Sequence, residues 1–258
     1  MPLLSTDAII LHTADYLESS RLVRMLTREA GVVSAVARGM RASRRRFGSA
    51  MDLFAEGQAQ LQVKSGRDLH ALQGFDVSVS RTALAADLDR FAAANALAEV
   101  VLRLVHEEAA PVVFDQVRQA FDHLGKTSTR EQMAGVALAA IWQVVGEVGY
   151  RPVLDECAEC HGDIAVEEEA SFMVAMGGLV CLRCAAHRGA QGRRLPVSAR
   201  NTLRRWITAG EAAQSPSAGG EVDGPLLRAH QRLLREFLSQ YLPDSRPLRA
   251  FHYWENIV

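Results

Sequence analysis

Four cysteines constrain this chain more than any other feature. They are all the cysteines in 258 residues, and they stand as Cys157-Ala-Glu-Cys160 and, twenty residues on, Cys181-Leu-Arg-Cys184. A gap of two residues lets two thiolates converge on one ion, and a second such pair completes a tetrahedral sulfur shell, the ligand set of structural zinc. Four sulfurs leave no open position for water or substrate, so the ion is expected to be a staple and not a catalyst. Gly177 and Gly178 precede the second pair, where backbone must wrap tightly around metal-bound sulfur. His161 and His187 flank the pairs and could substitute as ligands, but four cysteines already fill the shell. A redox dithiol needs only one pair, in a βαβ setting, and two disulfides suit a secreted chain. The amino terminus, MPLLSTDAIILH, lacks a basic region and carries Asp7 inside its apolar run, which argues against a secretory leader.

Hydrophobic content of 48% and charged content of 23% are those of an ordinary globular protein. The length allows two domains, or one plus a small metal-stapled module. The longest uncharged stretch, Gln132 to Gly146, falls short of the roughly 20 residues that span a bilayer, so a soluble, cytoplasmic protein is expected. A net charge of −1 hides an asymmetry. Residues 1–80 carry 10 Lys+Arg against 8 Asp+Glu, and 191–258 carry 10 against 6. Residues 81–150 carry 6 against 9, and 151–190 carry 3 against 7. Basic ends around an acidic middle suggest a localised surface for a polyanion.

The first 80 residues read as short strands. Ala8 to Leu11, Leu22 to Leu26 and Val32 to Ala37 are compact apolar segments between polar or glycine-containing breaks. Ala59, Leu61 and Val63 then alternate with Gln58, Gln60, Gln62 and Lys64, the pattern of a strand with one buried face. Ser65-Gly66 leads to a fifth segment, Asp68 to Phe75. Five short strands without a long helix between them predict a small barrel, of which the OB-fold is the commonest and an SH3-like barrel the alternative. Between the third and fourth strands lie Arg38, Arg41, Arg44, Arg45 and Arg46, with no acid among residues 38–48. Arginine presents a rigid fork of donors matched to phosphate. A charge run alone is usually a solvated loop, but on an OB-like barrel it becomes a candidate groove for single strands. Arg24, Lys64 and Arg67 could extend that groove. Stacking platforms are sparse, with Phe47 and Phe54 the nearest aromatics and Phe54 a candidate for the core.

From Arg81 the pattern turns helical. Leu84, Leu88, Phe91, Ala98, Leu102 and Val105 fall on one face, Pro111 to Leu124 forms a shorter amphipathic helix, and Thr129 to Gln132 is a capping box opening a third. Gly125-Lys126-Thr127 is no phosphate loop, because Ala120 stands where its first glycine is required. After the cysteines, Ser198 to Ile207 predicts a basic helix with Arg200, Arg204 and Arg205. Glu211 to Val222 reads as a mobile loop, and Asp223 caps a last helix. The tail carries Phe251, Tyr253 and Trp254, most simply folded back on the helical core. No catalytic motif stands out, so no enzyme is expected. The expected organisation is a barrel over 1–80, a helical domain in two parts (81–150 and 191–258, with the loop 211–222), and a metal module over 151–190.

This order resembles the RecO family, bacterial DNA repair and recombination mediators of the RecF pathway. The resemblance rests on Tyr16-Leu-Glu18-Ser19, Leu26-Thr27 before Gly31, Arg38-Gly-Met-Arg41, and Leu53-Phe54. Further along it rests on Gly149-Tyr-Arg-Pro152 running into Cys157, and on Gly177-Gly178-Leu-Val-Cys181 before Cys184. It implies an N-terminal OB-fold that binds single- and double-stranded DNA and a helical domain bearing a zinc module. It also implies ATP-free strand annealing, binding of the acidic tail of single-stranded DNA-binding protein, and work with RecR to load RecA, in the cytoplasm on the nucleoid. The tail would suit a slot with a basic rim, here assigned to Lys126 and Arg130. A zinc-stabilised interaction adaptor without DNA annealing is the alternative.

Overall fold

The computed structural model describes residues 3–17, 20–38, 51–63, 66–189, 192–208, 210, 223–242 and 246–255. The chain packs as two compact units, Met1–Lys126 and Thr127–Val258. The sequence boundary at residue 80 marks the change from strand to helix; the packing boundary comes after Lys126.

The first unit is built on five strands: β1 (Leu3–Tyr16), β2 (Ser20–Thr27), β3 (Gly31–Ala37), β4 (Glu56–Gln62) and β5 (His70–Val79). They close into a barrel in the order β1-β2-β3-β5-β4. The 14-residue β1 makes closure possible, pairing with β4 from Leu3 to Ile9 and with β2 from Ala8 to Tyr16, with a bulge between Ile10 and His12. The parallel β3–β5 pairing, Ala35 opposite His70, is the crossover that an OB-like barrel requires. Ala8, Ile10, Val23, Met25, Val33, Ala35, Ala59, Leu61 and Phe75 fill the interior. On β4 the predicted alternation is present: Gly57, Ala59 and Leu61 are buried while Gln58 and Gln60 are exposed.

Helices α1 (Thr82–Ala86), α2 (Leu88–Leu104) and α3 (Pro111–Leu124) belong to the same unit. The expected continuous helix from Arg81 is broken at Asp87, whose side chain accepts from the Arg90 N–H and caps α2. Leu88, placed by periodicity on the buried face, is therefore 79% exposed. Arginines tie the helices to the barrel. Arg24 donates to the Leu102 carbonyl at 3.0 Å, Arg28 clasps Asp115 through both terminal nitrogens at 2.7 and 3.0 Å, and buried Arg81 bridges Glu56 and Asp122. Gly31 adopts φ +62°, and a Cβ there would lie 2.1 Å from the His106 carbonyl oxygen, so only glycine lets the loop after α2 seat against β3.

The second unit centres on α4 (Arg130–Val145), opened by the expected capping box between Thr129 and Gln132. Every residue from Val136 to Val145 is buried. The helix and the turn that follows, Arg130–Tyr150, are long and apolar enough to cross a membrane, but most of that stretch lies inside the unit, as a core helix does. Around it stand α6 (Val197–Thr208), α7 (Gly224–Tyr241) and α8 (Arg249–Trp254). Trp142 meets Phe237 at 5.1 Å, and Gln143 donates to the Trp206 carbonyl at 2.9 Å. Asp223 caps α7 as expected, accepting from the Leu226 N–H. Phe251 and Trp254 are buried, in keeping with a folded-back tail, while Tyr253 is exposed. The segment 211–222 lies outside the described residues. Between α4 and α6 come β6 (Ala170–Met173), β7 (Gly178–Cys181), α5 (Leu182–His187) and β8 (Arg193–Leu195), the strands forming one sheet in the order β7-β6-β8.

Candidate metal centre and nucleic-acid surface

The two cysteine pairs reach one point by different routes. The first lies in a tight turn. The Cys157 N–H donates to the Gly162 carbonyl at 2.8 Å, and the His161 N–H, with His161 at φ +57°, donates back to the Cys157 carbonyl at 2.9 Å. The second pair follows β7, with Cys181 at its end and Cys184 in α5. Backbone bonds join the two: Val153 pairs with Gly177 and Leu179, and the Ala158 N–H donates to the Leu179 carbonyl at 2.8 Å. Gly178 is required here, since a Cβ would lie 2.3 Å from the Val153 oxygen.

All four Sγ atoms lie within 4.8 Å of one another. A tetrahedral ion with metal–sulfur bonds of about 2.3 Å needs sulfurs about 3.8 Å apart, so the cluster fits a metal with little adjustment. The electrostatics favour a cation too. Burial pushes the Cys157 thiol up, but the N–H groups of Cys160, Cys181 and Glu159 and the Cys160 thiol outweigh it and bring Cys157 down to about 6. Cys184 is driven the other way, to about 12, by the Cys181 side chain first, then by burial and by Cys160 and Cys157. Cys157 is thus favoured as a thiolate and Cys184 is not; a divalent cation at the centre of the cluster would stabilise both as thiolates. Cys157 and Cys184 are buried, Cys181 is half-buried and Cys160 is exposed. His161 is exposed and paired loosely with Glu156 at 3.8 Å, outside the sulfur cluster.

Arg200, in the helix predicted as basic, supports this module. It is fully buried. Its guanidinium donates to the carbonyls of Leu154 (3.0 Å), Ile164 (2.7 Å), Ala165 (2.6 Å) and Glu168 (3.5 Å), clamping the chain on both sides of Cys157 and Cys160. Burial, and then the neighbouring Arg204 charge, lower its pKa. The signal was in the spacing: Arg200, Leu203 and Ile207 share the apolar face of α6, and an arginine on such a face must find partners inside. Arg204 pairs with Asp155, and Arg205 is exposed.

On the barrel, Arg38 is exposed where the chain leaves β3, and Arg67 is exposed in the connection before β5. Arg41, Arg44, Arg45, Arg46, Phe47 and Lys64 lie outside the described residues. The parallel register sets His70 beside Ala35, so the connection holding Arg67 enters the sheet short of the end from which Arg38 leaves. Arg24 is turned toward Leu102 in α2. Phe54 is fully buried against Phe121 at 4.9 Å, so it is core and not a stacking platform. Lys126 closes the first unit and Arg130 opens α4; both are exposed.

Comparison with known proteins adds a family to this geometry. The family model described as Recombination protein O N terminal matches residues 1–81, and that described as Recombination protein O C terminal matches residues 85–250. The chain is similar to the DNA repair protein RecO of Syntrophotalea carbinolica, 32% identical over 260 residues that cover 95% of this chain and 98% of the relative. It is 33% identical to that of Anaeromyxobacter dehalogenans strain 2CP-C, over 94% of this chain and 93% of the relative. With that of Symbiobacterium thermophilum it shares 31%, over 97% and 91%.

Proposed function

Since the chain belongs to the RecO family, we propose that it is a DNA repair and recombination mediator that binds single- and double-stranded DNA. In this reading it anneals complementary strands without ATP and helps RecR load RecA onto strands coated with single-stranded DNA-binding protein. The observation that carries this is the pair of family matches spanning residues 1–81 and 85–250, on a chain that begins with a closed OB-like barrel. The chemistry is electrostatic and not covalent. Arg38, Arg41, Arg44, Arg45 and Arg46 neutralise phosphates, which lets two strands approach, and the bases then pair on their own. Arg67 contributes from its own connection; Arg24, committed to α2, is left out.

The ion held by Cys157, Cys160, Cys181 and Cys184 is zinc, whose bonds supply folding energy to a module too small for a core of its own. Lys126 and Arg130 receive the acidic tail of single-stranded DNA-binding protein, and the protein works in the cytoplasm on the nucleoid. The deciding experiment is annealing of complementary strands pre-coated with single-stranded DNA-binding protein, without nucleotide. Faster pairing than with coated strands alone is expected. No acceleration, together with no binding to naked strands, overturns the reading.

A further inference from the structure

A surface that holds single strands needs a face for bases as well as charge for phosphates, because base–aromatic stacking supplies much of such binding. Among the described residues of Met1–Lys126, Phe54, Phe75, Phe114 and Phe121 are buried, and Phe91 is half-buried with its ring 6.1 Å from that of Phe54. Tyr16 is the one exposed Phe, Tyr or Trp side chain among them, at 40%. It ends β1, and Leu17 beside it is 78% exposed in a left-handed conformation, φ 56°. That conformation costs a leucine about 1 kcal/mol, and the exposed side chain recovers nothing from the core. Two adjacent apolar residues are thus exposed where β1 ends.

Strand register says what lies beside them. Tyr16 stands opposite Ser20 on β2, and Arg21 stands opposite Ala37 on β3, one residue before Arg38. With strands about 4.8 Å apart, the Tyr16 and Arg38 backbones are about 10 Å apart across the sheet. The end of β1 therefore lies at the same end of the barrel as Arg38. Arg21 is held by Asp15 at 3.8 Å, and Asp15, next to Tyr16, is 82% exposed. A carboxylate there repels phosphate, so the end of β1 suits the uncharged part of a nucleotide while Arg38 takes the charged part.

We propose that Tyr16, flanked by Leu17, is a stacking platform for an unpaired nucleobase, working with Arg38 across β2. The inference rests on the barrel being the DNA surface. It makes the site selective for single strands, since bases already stacked in a duplex cannot reach the ring.

The test uses the full chain loaded with metal, titrated by fluorescence anisotropy with an oligothymidine strand, the same length of abasic strand, and a blunt duplex, each at several salt concentrations. Tyr16→Ala is expected to weaken oligothymidine binding about tenfold with an unchanged salt slope, because no phosphate contact is lost. Abasic-strand and duplex binding should be unaffected, and Tyr16→Phe should bind like the parent. Tyr16→Leu, which keeps apolar area without a ring, should lose most of the affinity and guards against a folding defect in the alanine variant. An equal loss on the abasic strand, or full binding by Tyr16→Leu, overturns the stacking assignment. Parental binding by Tyr16→Ala does so too. If an Arg41, Arg44 and Arg45 triple alanine variant loses affinity in that last case, the barrel remains the DNA surface; if it also binds like the parent, the surface itself is refuted.

Discussion

Replacing Arg200 by methionine should loosen the metal module far more than its distance from the sulfurs suggests. Three of its four hydrogen bonds, to Ala165, Ile164 and Leu154, fall between 2.6 and 3.0 Å. Hydrogen bonds from a charged donor contribute about 1.5–3 kcal/mol each, so the gross loss is roughly 5–9 kcal/mol. Against that, methionine removes the several kcal/mol it costs to hold a guanidinium out of water. The balance is the cost of carbonyls left without donors, and we expect about 3 kcal/mol, or about a hundredfold in an opening equilibrium. Because the clamped carbonyls flank Cys157 and Cys160, the opening should be read in the metal: transfer to an excess of chromogenic chelator should speed up about a hundredfold. Arg204→Ala is the control, since its partner Asp155 is 77% exposed and such pairs contribute less than about 1 kcal/mol. Metal transfer at the parental rate in Arg200→Met, or an equal effect in Arg204→Ala, would refute the clamp.

Removing a ligand is the harsher version of the same test: Cys157→Ser or Cys181→Ser should release the ion and expose residues 153–189 to amide exchange, while the barrel keeps its protection. Purified protein with no stoichiometric metal would contradict it. Alanine at Arg41, Arg44 and Arg45 should flatten the log-affinity versus log-salt slope for single strands by about 2 units without changing the melting temperature; an unchanged slope counts against phosphate contact there. His230 adds a pH dependence. Burial beside Trp206, 4.8 Å away, depresses its pKa from 6.5 to about 4. The unfolded chain takes up the proton first, so stability should fall as pH drops from 6.5 toward 4, by about 3 kcal/mol in all. His230→Leu should flatten that part of the profile in urea titrations at stepped pH, and an equally steep profile in the variant would assign the loss to other groups.

What could be read from the sequence was whatever a local rule decides. The alternation on β4, the capping box at Thr129, the Asp223 cap and the cysteine spacing each report on a few neighbouring residues, and each is present in the structure. The second half of β1 shows no apolar pattern, because beyond the bulge it pairs with β2 alone and loses its second buried flank. Leu88 misled because periodicity cannot see that the Asp87 cap restarts the helix one residue earlier. The basic helix predicted over Ser198 to Ile207 is present, but what its Arg200 meets is decided by carbonyls 32 to 46 residues away, beyond the reach of a local pattern. The helices that follow the barrel were the least legible of all. Their attachment runs through Arg24 to Leu102, Arg28 to Asp115 and Arg81 to Asp122, partners 78, 87 and 41 residues apart. A local pattern says that a helix exists and which side is apolar; only such distant pairs decide what that side meets. Here they join α1 to α3 to the barrel, so a charge change on α3, at Asp115 or Asp122, acts first on the barrel's outer wall.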